Sequence, residues 1–200
     1  MSRTILVSAG HGGGDPGAPG PGGPNYPFTE ADLALEQREL VTELLEKRGF
    51  QVLRDGNRGE NLARSVSLSL LRGVDLALDL HFNSHDRPAT GVECFGLRDK
   101  SALCAALAQA VAAAVGLKVR GRAGYRDPSE SQHPSLTFCS RGGILLETCF
   151  MMKPDLDRYV PRKKAAAEAI ARVLADSFDA PGTARGSLRN DRAPQRVRRK

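Results

Sequence analysis

The sequence predicts a single α/β domain, in which a mostly parallel, twisted sheet of about five or six strands is flanked by helices on both faces. Short apolar runs alternate along the chain with segments of helical periodicity, and this alternation is typical of a parallel sheet. The chain has 200 residues, a length that suits one domain with a substantial core. No apolar run approaches the roughly 18 residues of a transmembrane helix, which argues against a membrane-spanning protein.

A strand followed by a long glycine-rich loop is expected at the amino terminus. Residues 4–9 form a compact apolar run that glycine ends, which predicts the first strand. In residues 12–27, twelve of sixteen positions are Gly or Pro, a composition that excludes helix and strand. A loop of this length inside a domain is usually functional or disordered, and its position directly after His11 favours a function. We expect it to form one wall of a cleft.

The remaining elements follow from apolar periodicity and from glycine and proline punctuation. Thr29, with Asp32 three residues later, predicts a capped helix that Gly49 ends. Residues 117–134 lack a pattern and are expected to be mostly loop. Further strands are expected at residues 50–54, 74–80, 91–97, 135–139 and 143–148, and further helices at residues 60–72, 101–115 and 155–178.

The cysteines do not form a recognisable metal or redox motif. Cys94, Cys104, Cys139 and Cys149 lack the close Cys-x-x-Cys spacing of a zinc ribbon or a redox pair. We therefore expect reduced and mostly buried thiols, in a protein that is made in a reducing cytosol.

Positive charge is concentrated at the carboxyl terminus. The formal net charge is +6, and residues 177–200 contain six Arg and one Lys against two Asp. This segment is poor in large apolar residues, so we expect a folded domain at residues 1–176 followed by a disordered tail at residues 177–200. The tail is either a solvated terminus or a basic arm that contacts an anionic wall polymer or a membrane surface. No specific nucleic-acid partner is expected, because the tail is short and poor in aromatic residues.

Four side chains that can bind a metal or carry a proton stand at the ends of predicted elements. His11 follows the first strand, His81 follows the strand at 74–80, Glu147 ends a late strand, and Glu30 opens the first helix. The carboxyl ends of parallel strands lie along one edge of a sheet. His11, His81 and Glu147 can therefore meet at this edge, and Glu30 can join them from the helix start.

These residue types suit hydrolytic metal chemistry. Two imidazoles and one carboxylate leave a coordination position open, which is the arrangement of a catalytic zinc site. Zinc lowers the pKa of a bound water and polarises a carbonyl oxygen, and a second carboxylate then serves as general base and general acid. Glu30 has a second interpretation, since it could only stabilise the positive end of its helix. For Glu147 a functional role is favoured, because burying an unpaired carboxylate on an apolar strand costs free energy.

Three further residues are candidates for supporting roles. Asp79 shares a strand face with His81, so it either orients that imidazole or bonds to the backbone. His133, directly before Pro134, either contacts substrate, stabilises an oxyanion, or is only a loop residue. His85 is expected to be a loop residue, with the alternative that it lines the cleft, since a helical pair with His81 does not suit a chain that is leaving a strand.

With these residues in place, the sequence resembles the zinc-dependent N-acetylmuramoyl-L-alanine amidases of type 3, the catalytic domain of bacterial cell-wall hydrolases and phage endolysins. No single motif is specific, and the resemblance rests on the order and spacing of six segments across residues 4–176. The segments are Ser8-Ala-Gly-His-Gly-Gly-Gly-Asp-Pro-Gly-Ala18, Thr29-Glu30, Arg54-Asp55, Asp79-Leu-His-Phe-Asn-Ser84, Gly91-Val-Glu93 and Leu145-Leu-Glu-Thr-Cys-Phe150.

The resemblance implies a catalytic site and a substrate. One zinc ion would be held by His11, Glu30 and His81, with Glu147 as the catalytic acid and base. The substrate would be peptidoglycan, cut at the amide between N-acetylmuramic acid and L-alanine of the stem peptide. Asn83 is a candidate for substrate binding. Two alternatives stay open, a zinc peptidase that cuts the stem peptide itself and a non-catalytic wall-binding module that keeps the fold.

The biological setting is expected from the same resemblance. Only Arg3 precedes the first apolar run, which is too short for the core of a signal peptide. We therefore expect a monomer that is made in the cytoplasm and acts on the periplasmic or extracellular cell wall. This resembles a phage or prophage endolysin released by lysis or a holin, and a host enzyme shortened at its amino terminus would look the same.

Overall fold

The computed structural model describes residues 3–23, 27–131 and 136–179, which contain one sheet of six strands. The order across the sheet is β2-β1-β3-β6-β4-β5, and neighbouring strands are parallel except for β4 and β6. The predicted fold class is therefore confirmed. The strands are β1 (Thr4–Ala9), β2 (Gln51–Arg54), β3 (Leu76–Asn83), β4 (Glu93–Phe95), β5 (Tyr125–Arg126) and β6 (Ile144–Phe150).

Helices cover both faces of the sheet. Along β1, Ile5 and Val7 belong to the main apolar core, whereas Leu6 packs on the opposite face with Leu71 and Phe138. The central strands are thus buried on both faces, which explains why they are continuous apolar runs in the sequence. The helices of the described residues are α1 (Glu30–Lys47), α2 (Arg64–Leu70), α3 (Ser101–Val115), α4 (Thr137–Ser140), α5 (Lys153–Tyr159) and α6 (Lys163–Asp179).

The prediction of a strand at residues 135–139 was wrong. Of this segment, the described part forms α4, a single helical turn. The buried ring of Phe138 packs in the smaller core, on the face of the sheet that carries Leu6. The carbonyl of Phe138 accepts a hydrogen bond from the amide of Gly143 at 3.1 Å. The apolar side chains of this segment therefore fill the core from a turn rather than from a strand.

Other elements also differ in their bounds from the sequence prediction: the helix predicted at 60–72 is shorter, and so is the strand predicted at 91–97. The closing helix predicted at 155–178 is divided into α5 and α6 by a 3-10 turn, because Pro161 in that turn lacks the amide that a continuous helix needs. The third strand continues past residue 80 to Asn83, since Phe82 is also buried. Within the predicted loop at 117–134, two residues pair with β4 as β5.

A buried ion pair fixes the end of β1 relative to α1. Arg38 Nη1 lies 2.5 Å from Asp55 Oδ1, and both side chains are buried. Asp55 Oδ2 accepts a hydrogen bond from the amide of Ala9 at 3.2 Å, and Arg38 also donates to two backbone carbonyls in the segment 57–60. The chain after β2 is thereby tied to the last residue of β1, just before His11.

The cysteines are free and buried, in agreement with the sequence prediction. In the described ranges, no helix is both long enough and apolar enough to cross a membrane. Helix α6 runs to Asp179, past the predicted domain boundary at residue 176. The rest of the predicted basic tail, residues 180–200, lies outside the described residues.

Candidate functional site

The register of the sheet brings His81 and Glu147 side by side. His81 in β3 is the direct pairing partner of Glu147 in β6. On the other side of β3, strand β1 pairs up to Ala9, so that His11 comes to the same edge of the sheet. His11 has a φ of 67°, which is uncommon for a residue other than glycine and marks the turn that ends the strand.

Glu30 reaches this edge from the first residue of α1. The helix begins with the predicted capping box, in which Thr29 and Asp32 bond to each other's backbone amides. The buried carboxylate of Glu30 accepts hydrogen bonds from the amide of Ala18 at 3.0 Å and from the amide of Phe82 at 3.1 Å. These two bonds fix the carboxylate between the glycine-rich loop and β3.

His11, Glu30 and His81 form a compact set of metal donors. His11 Nε2 and His81 Nδ1 each lie 3.0 Å from Glu30 Oε1. One ligand atom from each residue can be chosen such that all lie within 4.8 Å of one another. Two imidazole nitrogens and one carboxylate oxygen are donors that zinc accepts, so these residues fit the ion that the sequence implies.

Each histidine is also held by a second carboxylate. His81 Nε2 lies 3.3 Å from Asp79 Oδ2, and Asp79 in turn accepts a hydrogen bond from the Ser8 hydroxyl at 2.7 Å. His11 Nδ1 lies 2.9 Å from Asp15 Oδ2. Carboxylates in this position orient imidazole ligands in metal sites. Sequence reasoning named Asp79 but missed Asp15, whose only signal is its place four residues after His11.

Two glycines leave room for the donor set. A Cβ atom on Gly10 would lie 2.5 Å from the ring of His81. A Cβ atom on Gly17 would lie 2.7 Å from the ring of His11 and 2.8 Å from the Glu30 carboxylate. The glycine-rich loop can therefore approach the donors closely only because these positions lack a side chain.

The donors shift one another's protonation. Burial raises the pKa of Glu30, but hydrogen bonds from His11 and His81 outweigh burial and hold that pKa well below its usual range. Burial lowers the pKa of both histidines, and neighbouring carboxylates reverse this. Glu30 raises the pKa of His11 above its usual value, and Asp79 and Glu30 raise that of His81. Negative charge is therefore concentrated on Glu30, between two imidazoles.

Glu147 differs from Glu30 because one of its carboxylate oxygens has no hydrogen-bond partner among the described residues. Its Oε2 atom is buried and unpaired among the described residues. Burial raises the pKa of Glu147 to about 8, and the negative charges of Glu30 and Glu93 contribute to the shift. A carboxyl group that gains and loses a proton near neutral pH is suited to general acid and base chemistry.

All four residues line one cavity of about 1130 Å³. The glycine-rich loop forms one wall, through Gly12, Gly13 and Asp15, as the sequence predicted. Asn83 lines the cavity, and so does His85, whose ring accepts a hydrogen bond from the amide of Arg87 within its own loop. The candidate residue His133 lies outside the described residues.

The comparisons with known proteins point to one family. The family model of the N-acetylmuramoyl-L-alanine amidases matches residues 5–177 of the chain. A relative in Bacillus subtilis (strain 168), the uncharacterized protein YqiI, is 26% identical over 183 residues, which are 88% of this chain and 85% of that protein.

Solved structures of amidases share the fold. A protein of Neisseria meningitidis assigned to the N-acetylmuramoyl-L-alanine amidases superposes with a TM-score of 0.78 and 33% identity, over 90% of this chain and 98% of that one. The N-acetylmuramoyl-L-alanine amidase AmiC2 of Nostoc punctiforme superposes with a TM-score of 0.73 and 25% identity, over 90% of this chain and 100% of that one.

Proposed function

The chain belongs to the N-acetylmuramoyl-L-alanine amidase family of peptidoglycan hydrolases, and from this premise we propose that it cuts the bond between N-acetylmuramic acid and L-alanine with zinc held by His11, Glu30 and His81. One observation carries the proposal: the three donors converge beside Glu147, whose Oε2 atom is buried and has no hydrogen-bond partner among the described residues. A purely structural zinc site would have four protein donors and no need for such a neighbour.

Glu147 is proposed to move the proton in this reaction. Zinc at such a site polarises the amide carbonyl and acidifies a water molecule. Glu147, as a carboxylate, takes a proton from the water that attacks the carbonyl carbon. It then delivers that proton to the alanine nitrogen as the carbon–nitrogen bond breaks, so the same residue is first base and then acid.

Replacing Glu147 with glutamine separates metal binding from catalysis. The Glu147→Gln side chain has the same shape but cannot accept the proton, so we expect zinc binding to persist and hydrolysis to fall at least about 100-fold. Zinc content measured by atomic absorption and release of stem peptide measured by chromatography check the two expectations. Full hydrolysis by this variant would remove Glu147 from the mechanism.

Digestion of purified peptidoglycan tests the whole assignment. We expect the zinc-loaded protein to release intact stem peptides that begin with L-alanine, which mass analysis of the products identifies. A chelator should stop the release, and added zinc should restore it. Fragments cut inside the stem peptide would instead indicate a zinc peptidase, and binding without any product would indicate a wall-binding module.

The cellular setting follows from the substrate. We propose that the protein acts on the cell wall from the periplasmic or extracellular side, with the basic residues beyond 179 drawn to an anionic wall polymer or a membrane surface. Its origin as an endolysin, its monomeric state and the role of this tail stay predictions. Removing residues 180–200 should lower wall binding at low salt if the tail contributes, and a salt-independent affinity would contradict this.

A further inference from the structure

Glu93 is a buried carboxylate beside the cavity that the proposed reaction does not use. It is 2% exposed and begins β4, where it pairs directly with Glu147 across the antiparallel strands β4 and β6. Because β4 runs against β6, the start of β4 lies at the same edge of the sheet as His81. A buried charge is costly unless it is paired, so its partners indicate what it does.

Three side chains donate to Glu93. Its Oε2 atom accepts hydrogen bonds from Arg120 Nε and Arg126 Nη1, both at 3.1 Å. Its Oε1 atom accepts one from Asn83 Nδ2 at 2.6 Å. Both guanidinium groups also lie over aromatic rings, at 4.7 and 5.5 Å from the ring centres. The arginines thereby hold the carboxylate and leave one oxygen for Asn83.

This contact decides which way the amide of Asn83 faces. An amide side chain has one end that donates and one that accepts, whereas a carboxylate only accepts. The Nδ2 end of Asn83 must therefore face Glu93, and the Oδ1 end faces away. Asn83 lines the cavity, and its Oδ1 atom has no hydrogen-bond partner within the described parts of the chain. Asn83 thus presents a hydrogen-bond acceptor, its Oδ1 atom, to the cavity.

The acceptor lies close to the bond that is cut. Asn83 is two residues beyond His81 in β3, a distance of about 7 Å along a strand. An extended peptide covers roughly 3.5 Å per residue, so Asn83 is within about two residues of a bond held at His81. The first donor that a stem peptide presents beyond the scissile bond is the N–H of its next amide.

We propose that Glu93 is a positioning residue that turns Asn83 so that its Oδ1 atom accepts the N–H of the first amide after the scissile bond. The inference rests on the proposed function, since it assumes that a stem peptide lies along the cavity from His81 toward Asn83. Asn83 is then the residue that contacts substrate, and Glu93 acts on the bound peptide through Asn83, whatever its charge contributes to the pKa of Glu147. The site therefore prefers substrates that carry an amide N–H at the first position after the scissile bond.

Substrates that differ by one hydrogen-bond donor test the contact in the zinc-loaded protein. The probe is a soluble disaccharide that carries a stem tripeptide, with analogues in which an ester oxygen replaces the N–H of the first or the second amide after the scissile bond. For the wild type we expect the first ester to lower kcat/KM roughly threefold to tenfold, as one hydrogen bond does. The second ester should change kcat/KM by less than about twofold.

Two variants connect the preference to these residues. Asn83→Ala should cut the amide and the first ester equally well. In Glu93→Gln the two arginines, which only donate, hold the glutamine oxygen, so its amide nitrogen faces Asn83. Asn83 then turns its own amide nitrogen toward the cavity, and the preference for the amide should vanish or reverse. A general loss of structure would lower the cleavage of both substrates without changing their ratio.

The outcomes separate this inference from the proposed function. If the wild type cuts the parent substrate at the lactyl amide but shows no loss with the first ester, the positioning role of Glu93 is overturned and the amidase mechanism stands. An equal preference in the wild type and in Asn83→Ala overturns it as well. If Glu93→Gln does not fold, as judged by thermal unfolding, Asn83→Ala decides the contact alone. If the wild type does not cut the parent substrate, the proposed function itself fails.

Discussion

The two candidate histidine ligands are held differently on the side that faces away from Glu30. Asp79 is buried and fixed by the Ser8 hydroxyl, whereas the side chain of Asp15 is 64% exposed. A carboxylate orients an imidazole more strongly when it is itself fixed and shielded from water. His81 is therefore expected to be the more firmly oriented ligand, and His11 the one that adjusts when the metal binds.

Replacing the two carboxylates separately measures this difference. Asp79→Asn should weaken zinc binding by about 10- to 100-fold, because a neutral amide orients His81 less well and supports its basicity less. Asp15→Asn is the matched control and should weaken binding by a smaller factor. Competition with a zinc-sensitive dye gives both dissociation constants, and a larger effect at Asp15 would contradict the ranking.

Gly10 permits the contact between the end of β1 and His81. Its φ is not positive, so alanine is compatible with the backbone, but the new methyl group would displace the ring of His81. Gly10→Ala should therefore weaken zinc binding at least about tenfold. Gly49→Ala, remote from the site with a φ of 84°, should instead lower the free energy of unfolding by about 1 kcal/mol and leave zinc binding unchanged. Equal zinc affinities for both variants would exclude the steric explanation.

At the scale of elements, the sequence predicts whatever depends on a long local pattern. Strands β1 and β6 follow from apolar runs, and α3 was predicted at its observed bounds because its helical pattern is uninterrupted. Strand β5 has only two residues and forms because β4 offers it an edge, so no local signal marks it. Helix α4 was mistaken for a strand, since an apolar segment of five residues does not distinguish the two.

The sequence likewise predicts some residues of the candidate site and not others. The four residues at element ends could be grouped from the sequence, because the edge where parallel strands end follows from the fold class. Asp15 and Glu93 could not, since their contacts depend on how a loop closes and on one strand running in the opposite direction. Register and loop closure are tertiary properties that composition and periodicity do not encode.

The ion pair between α1 and the segment after β2 tests how strongly these elements are joined. Arg38→Met would leave Asp55 buried without its cation, so we expect the free energy of unfolding to fall by about 3 to 5 kcal/mol. Urea unfolding followed by circular dichroism measures the change. Lys47→Met breaks the exposed pair with Glu43 and should leave the unfolding curve unchanged. Similar curves for Arg38→Met and the wild type would show that the buried pair does not join these elements.

At the scale of the whole molecule, the interior closes off all four thiols. The cysteines are buried in the core, and burial raises the pKa of Cys139 to about 12. Only the thiolate reacts readily, so native protein at pH 8 should be nearly inert to Ellman's reagent. Addition of guanidinium chloride should expose all four thiols to the reagent. Rapid modification of the folded protein would contradict the close packing of this core.

The order of strands across the sheet has a consequence for synthesis of the chain. Strand β6 is the last to leave the ribosome, yet it lies between β3 and β4 near the middle of the sheet. The three proposed metal ligands all precede it, whereas Glu147 arrives only with it. A nascent chain can thus bring its proposed ligands together while it still lacks the proposed base, Glu147. If Glu147 has the proposed role, we expect such a hydrolase to stay inactive until its central strand is inserted.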